Sequence, residues 1–188
     1  MKPLLILVAI IIVGGLMFGS KFVGTRNELA TKREAISASF SQVDTDLQRR
    51  ADLIPNLVET VKGYAKEETT VIQSVSNARA GLLSAQTPQQ KIDANQKLDG
   101  AIGRLLVIVE NYPNLKANQN FQSLQFELAG TENRILRSRQ KYNEAVQDYN
   151  TSLQLFPNNI VAGMSGFTRN DAYFKTDAGS RNAPAVKF

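Results

Sequence analysis

The sequence contains no cysteine and no histidine among its 188 residues. Without cysteine the chain has no disulfide framework, no thiolate metal site and no cysteine nucleophile. Without histidine it lacks the side chain that most often serves as a general base near neutral pH and as a metal ligand. No phosphate-binding loop, dinucleotide fingerprint or nucleophile elbow occurs either. The sequence therefore predicts a protein that is not an enzyme and holds no metal or other cofactor.

The net charge is small and positive, because the sequence has 22 lysine and arginine residues and 17 aspartate and glutamate residues. An excess of this size suits an anionic membrane surface. A nucleic-acid-binding protein would instead interleave a basic run with aromatic residues, and no such run is present. We therefore predict no nucleic-acid partner. No small-molecule substrate is evident from the sequence either.

A long uncharged stretch occupies the N-terminus, with no charge between Lys2 and Lys21. As a helix rising about 1.5 Å per residue, eighteen such residues span roughly 27 Å, close to the ~30 Å hydrocarbon core of a bilayer. The alternative is that this stretch is a cleaved signal peptide. A signal peptide would end in a cleavage site with small residues, and the stretch lacks one. Residues 1–25 are predicted to be a single transmembrane anchor that contacts membrane lipids.

Flanking charge indicates the orientation of this anchor. Lys2 precedes the uncharged run, whereas four basic residues follow that run, namely Lys21, Arg26, Lys32 and Arg33. Because cytoplasmic flanks carry the excess of lysine and arginine, the bulk of the chain is predicted on the cytoplasmic side of the cell's inner membrane. The periplasmic or extracellular side is the alternative.

Gly15 and Gly19 form a small-xxx-small pair within the predicted anchor. Such a pair lets two membrane helices approach closely, so it predicts self-association. The alternative is that these glycines only reflect the general frequency of glycine in membrane helices.

Beyond the anchor, apolar residues recur at helical spacing, and no stretch alternates long enough to be a strand. The clearest stripe recurs every seven residues: Phe121, Leu128, Ile135, Tyr142, Tyr149 and Phe156. Proline within a helix costs ~3 kcal/mol or more, so Pro55 and Pro113 are each predicted to begin a new helix. Thr87-Pro88 predicts a further start, with threonine as N-cap and proline in the first turn.

The predicted fold is all-α, with an N-terminal transmembrane helix followed by an antiparallel up-and-down four-helix bundle. The bundle domain covers residues 26–156, and the helices cover about 21–51, 54–84, 88–111 and 114–156. Short connections between successive helices favour this topology. The alternative is a long helical hairpin kinked at Pro55 and Pro113. Residues 157–188 lose the periodicity and are predicted to be an irregular C-terminal tail.

Three charged residues, Glu68, Glu132 and Arg139, fall on the apolar stripes. A charge on a core seam is costly unless it is paired. We therefore predict a structural polar network in which Glu68 meets Arg139 or another arginine. The alternative is a carboxylate site for ion binding or catalysis, built on Glu68, Glu110 and Glu132.

Arg49, Arg50 and Asp52 lie where the first predicted helix ends and the second begins. Asp52 suits an N-cap, and arginines suit the C-terminal end of a helix dipole. The alternative is a charged end of the bundle that faces a partner or lipid headgroups.

Two Tyr-Asn pairs, Tyr142-Asn143 and Tyr149-Asn150, recur one heptad apart. Tyrosine at the edge of a helical core, with asparagine beside it, can hydrogen-bond across to another helix. Both pairs are therefore predicted to serve packing.

Long phrases of this sequence resemble those of one family. They are RRADLIPNLVETVKGY at 49–64 and RLLVIVENYPNLKAN at 104–118, with Asn120-Phe121, Thr131-Glu-Asn133, both Tyr-Asn pairs and Phe156-Pro157. The chain resembles the LemA family of bacterial membrane-anchored proteins. The resemblance implies a helical bundle on a single-pass anchor facing the cytoplasm, and it supplies no reaction or catalytic residue. Many members have His-Glu where this chain has Glu67-Glu68.

The predicted function is a non-enzymatic, membrane-anchored scaffold or adaptor that presents a helical bundle to a membrane protein partner. The anchor, the helices and the missing catalytic chemistry indicate this role. The alternative is a homo-oligomer that self-assembles at the membrane as a ring, cage or lattice.

Overall fold

The computed structural model describes residues 2–174, apart from the side chains of residues 2–5 and 7–10. Regular structure in this part is entirely helical, and no strand occurs in it, which confirms the all-α prediction. The helices are α1 Lys2–Tyr64, α2 Thr69–Ser84, α3 Pro88–Val109, α4 Pro113–Lys116, α5 Gln119–Gln154 and α6 Asn158–Ser165.

The prediction that Pro55 begins a helix is wrong, because Pro55 lies inside α1. A proline at this position leaves the carbonyl of Ala51, four residues earlier, without its helical donor. The Arg79 Nε of α2 donates to that carbonyl oxygen at 2.7 Å. Ile54 and Leu57 are buried on either side of Pro55, which is itself exposed. Packing and a replacement donor therefore carry α1 past the proline to Tyr64.

The predicted helix start at residue 88 is confirmed. Thr87 is the N-cap of α3, and its side chain accepts a hydrogen bond from the Gln90 backbone at 3.2 Å. The Gln90 side chain accepts one from the Thr87 backbone at 3.1 Å, which completes a capping box. The other proline, Pro113, begins the short α4, as predicted. The hairpin alternative is therefore wrong for Pro113, whereas α1 continues through Pro55.

The chain divides into two compact units. Unit 1 comprises the described residues up to Ser39 together with Glu144–Asp171, and unit 2 comprises Phe40–Asn143 together with the described residues from Ala172. Helices α1 and α5 each contribute to both units.

In unit 2, side-chain contacts join α1, α2, α3 and α5. Residues 46 and 50 of α1 meet residues 138 and 132 of α5, so these two segments are antiparallel. Residues 44 and 50 of α1 meet residues 91 and 99 of α3, so those two are parallel. The core of the unit includes Val43, Leu47, Leu57, Val61, Val75, Leu82, Leu98, Leu105, Phe121 and Ile135, all buried.

Unit 1 contains the N-terminal part of α1, the C-terminal end of α5 and α6. Its buried residues include Leu29, Ile36, Val146, Tyr149, Val161 and Ala162. Helix α6 ends at Gly166, whose φ of 71° is left-handed and therefore favours glycine. The predicted irregular tail is thus wrong for residues 158–165, and residues 175–188 lie outside the described part.

Within the described part of the chain, no helix combines the length and apolar character needed to cross a membrane. The described residues therefore do not support the predicted transmembrane helix, and the side chains of its residues 2–5 and 7–10 lie outside the described part.

Candidate functional site

A buried ionic cluster lies in unit 2 around Arg50, which is only 6% exposed. The Arg50 Nη1 donates to the carboxylate of Asp99 on α3. The same nitrogen lies 2.8 Å from the Glu132 Oε2 on α5 and 3.4 Å from the Asn95 Oδ1. One guanidinium on α1 therefore binds side chains from two other helices.

Arg139 completes this group, which we call the Arg50 cluster: Arg50, Asn95, Asp99, Glu132 and Arg139. The Asn95 Nδ2 donates to the Asp99 Oδ2 at 2.8 Å, and the Arg139 Nη2 lies 3.7 Å from the same oxygen. The Arg139 guanidinium also lies over the Phe174 ring, 5.3 Å from its centroid. Two positive and two negative groups compensate each other, so the cluster suits fixing helix register better than holding a charged ligand.

The structure brings together two of the three predicted network residues, Glu132 and Arg139, and joins them through Arg50 and Asp99. Arg50 was predicted at the end of a helix, whereas it lies buried inside α1. Arg49 and Asp52 are exposed, and Asp52 accepts a hydrogen bond from Gln48 at 2.9 Å. Asp52 does not cap a helix, because α1 continues past it to Tyr64.

Glu68 lies elsewhere, at the N-cap position of α2, where it accepts a hydrogen bond from the Tyr112 hydroxyl at 3.1 Å. That hydrogen bond raises the pKa of Tyr112 above its ordinary value, and burial and the charges of Glu68 and Glu67 raise it further. The expectation that Glu68 meets an arginine is wrong. Glu68 lies seven residues from both Val61 and Val75, but the helix is interrupted between Tyr64 and Thr69, so the helical periodicity does not hold across this segment.

The three carboxylates of the predicted ion-binding alternative each have a different partner. Glu68 binds Tyr112, Glu132 binds Arg50, and Glu110 lies 2.5 Å from the Lys116 Nζ. Among residues 2–174, no group of three or more acidic side chains is arranged to hold a metal ion. The geometry therefore gives this alternative no assembled donor set.

The Tyr-Asn pairs bind the extended segment that follows α6. In unit 1, the Asn150 side chain donates to the Asn170 carbonyl at 2.7 Å and accepts from the Asn170 N–H at 2.9 Å. The Tyr149 hydroxyl donates to the Thr168 carbonyl at 3.0 Å. Burial raises the pKa of Tyr149, and the nearby Arg33 lowers it by less.

The same chemistry recurs in unit 2. The Asn143 side chain donates to the Phe174 carbonyl at 2.8 Å and accepts from the Phe174 N–H at 3.0 Å. The Tyr142 ring packs edge-on against Phe40 and Phe174, with centroids 5.6 and 5.5 Å away. The sequence indicated the bonding capacity of these asparagines, but their partner is backbone after α6 and not another helix.

An apolar surface characterises unit 1. Leu155, Phe156, Ile160 and Met164 are 55%, 81%, 50% and 69% exposed. Beside them is an apolar groove of about 610 Å³, lined by Met17, Phe18 and Phe22 of α1 and by Phe156, Ile160 and Val161. We call these residues the unit 1 apolar surface. Gly15 and Gly19 also face open space, because an added Cβ would meet nothing within 4 Å.

A model of the LemA family matches residues 39–188, a range that contains the Arg50 cluster, both Tyr-Asn pairs and α6. The chain belongs to the LemA family. This match confirms the resemblance stated above from the long phrases at 49–64 and 104–118.

Curated relatives of this LemA-family chain fall into two named groups. It is 26% identical over 179 residues to magnetosome protein MamQ 2 of Paramagnetospirillum magneticum, covering 81% of this chain and 66% of the relative. It is 23% identical over 203 residues to MamQ of Magnetospirillum gryphiswaldense, covering 94% and 75%. It is 24% identical over 142 residues to protein LemA of Metamycoplasma hominis, covering 75% and 65%. The matches thus cover slightly less than two thirds of the length of the first and third of these relatives.

Proposed function

We propose that this LemA-family chain is a membrane-anchored, non-enzymatic scaffold or adaptor that presents its helical unit 2 at the cytoplasmic face of the cell membrane. One observation carries the proposal. Helix α1 runs without interruption from Lys2 to Tyr64, so the uncharged N-terminal run and the first helix of unit 2 are one element. A membrane that holds the run therefore also holds unit 2.

Exposed side chains in the run support membrane anchoring. Ile11, Ile12, Val13, Leu16, Met17 and Phe18 are each between 55% and 70% exposed. Contiguous apolar surface of this kind is rare on soluble proteins and marks a membrane or protein contact. Together with the preceding residues of the run, it supplies roughly the length that a bilayer core requires.

The charged groups of unit 2 support a role without chemistry. Arg50 binds both Asp99 and Glu132, which leaves no convergent set of reactive groups in the cluster. The names of the relatives describe magnetosome proteins and LemA, and none of them states a reaction.

Deleting residues 2–25 is expected to move the protein from the membrane fraction to the soluble fraction. The intact chain should stay in membranes washed with alkaline carbonate, because its attachment is apolar and not electrostatic. A matched control is replacement of Lys21 and Arg26 by glutamine, which keeps the apolar run and should keep the protein in the membrane. Release of the intact chain by carbonate would contradict the anchor.

A reporter active only in the cytoplasm, fused after Phe188, should be active, and an inactive one would contradict the orientation.

A second candidate function is self-assembly at the membrane. The open space around Gly15 and Gly19 favours it, because two glycines four residues apart on one face let a second helix approach closely. The mass of the particle in its membrane distinguishes this candidate from a scaffold that binds a different protein.

A further inference from the structure

We propose that α6 and the turn before it form a second membrane contact, in which Leu155, Phe156, Ile160 and Met164 insert among the lipid headgroups and the upper acyl chains. This inference rests on the proposed anchor and adds to it a site within unit 1. The occupant is the lipid bilayer itself.

The position of the groove motivates the proposal. Within unit 1, Phe156, Ile160 and Val161 line the same groove as Met17, Phe18 and Phe22 of α1. Met17 and Phe18 are the last large residues of the uncharged run before Lys21. Helix α6 therefore lies beside the point at which a membrane-spanning α1 would leave the hydrocarbon core for the headgroup region.

The composition of α6 fits an interface. Val161 and Ala162 are buried against unit 1, whereas Ile160 and Met164, four residues apart on another face, are largely exposed. The helix carries no charged residue between Asn158 and Ser165, so insertion desolvates no charge. An outward apolar face without charge is unfavourable in water and favourable at a lipid surface.

The positive charge next to this surface also suits contact with lipid headgroups. Lys21 lines the groove, and Arg26 follows it on α1. Basic side chains at this level extend towards headgroups and favour anionic lipids. The apolar contact of α6 and the basic contact of α1 would therefore act on the same leaflet.

Site-specific fluorescence tests the proposal, because a chain without cysteine accepts a single introduced label. Ile160→Cys and Met164→Cys are labelled with an environment-sensitive dye in the full-length protein, reconstituted into vesicles of anionic and zwitterionic phospholipid. The control is Phe126→Cys, an 82% exposed aromatic position of α5 in unit 2 beside Glu127. Helical content by circular dichroism verifies that each variant folds, and flotation of the vesicles verifies that each is anchored.

At both α6 positions, the label is expected to show blue-shifted emission and at least a two-fold loss of intensity when the vesicles contain lipids brominated in the upper acyl chain. The Phe126 label should show neither change. If the protein floats with the vesicles but the α6 labels behave like the Phe126 label, the α6 contact is overturned and the anchor stands. A blue shift without quenching by bromine would assign this surface to a second protein copy and overturn the lipid contact. Failure to float would overturn both proposals.

Discussion

Replacing Arg50 with methionine is expected to lower the free energy of unfolding by about 3 kcal/mol, because breaking a buried ion pair leaves the partner charges uncompensated. Asp99 and Glu132 would lose their shared guanidinium while remaining only 25% and 34% exposed. Methionine fills a similar volume, so the loss measures the missing charge more than a cavity. The measurement is chemical denaturation of the full-length chain in mild detergent, followed by far-ultraviolet circular dichroism.

The adjacent residue provides the matched control. Arg49 is exposed, so Arg49→Met should change the same free energy by no more than about 0.5 kcal/mol. Adding Glu132→Gln to Arg50→Met should recover much of the lost stability, since Asp99 then still faces Arg139 and no charge of the cluster is left unpaired. The account of the cluster fails if Arg50→Met is as mild as Arg49→Met.

Replacing Arg79 with methionine is expected to cost about 2 kcal/mol, because the buried Ala51 carbonyl then has neither a helical donor nor a side-chain donor. The expected cost comes from Pro55, which has no N–H to offer four residues along α1. Arg104→Met is the control, since Arg104 is exposed and donates to a side-chain hydroxyl, that of Ser74, at 3.2 Å.

A double-mutant cycle isolates this effect. Pro55→Ala restores a backbone donor to the Ala51 carbonyl, so Arg79→Met should cost at least about 1 kcal/mol less in that background. Equal costs with and without Pro55 would show that Arg79 stabilises the chain by some other contact.

Much of the fold follows from local pattern. Heptad spacing indicates the helices, and the capping chemistry of Thr87 and Pro88 places the start of α3. Local pattern does not predict that α1 continues through Pro55. The hydrogen bond that replaces the missing helical donor to the Ala51 carbonyl comes from Arg79, which is distant in sequence and reaches Ala51 only after folding. Helix α6 is short, and eight residues show too few turns for the periodicity to be distinct.

The candidate site is predictable only in part. Glu132 and Arg139 stand out because a charge on an apolar seam requires a partner. Their partners Arg50 and Asp99 do not stand out. The sequence predicts a helix end at Arg50, whereas α1 continues past it. A usable signal was present in α3, where Asn95 and Asp99 lie four residues apart and hydrogen-bond each other. The asparagines after Tyr142 and Tyr149 reveal a bonding capacity, but sequence alone does not identify backbone as the partner.

The mass of the particle extracted gently from its own membrane, with every protein component identified, tests the scaffold proposal most directly. The account predicts a particle heavier than one chain. A whole-number multiple of this chain alone would indicate self-assembly, and a second protein at a fixed ratio would indicate an adaptor. A single chain surrounded only by lipid, at the concentration found in the cell, would contradict the proposal.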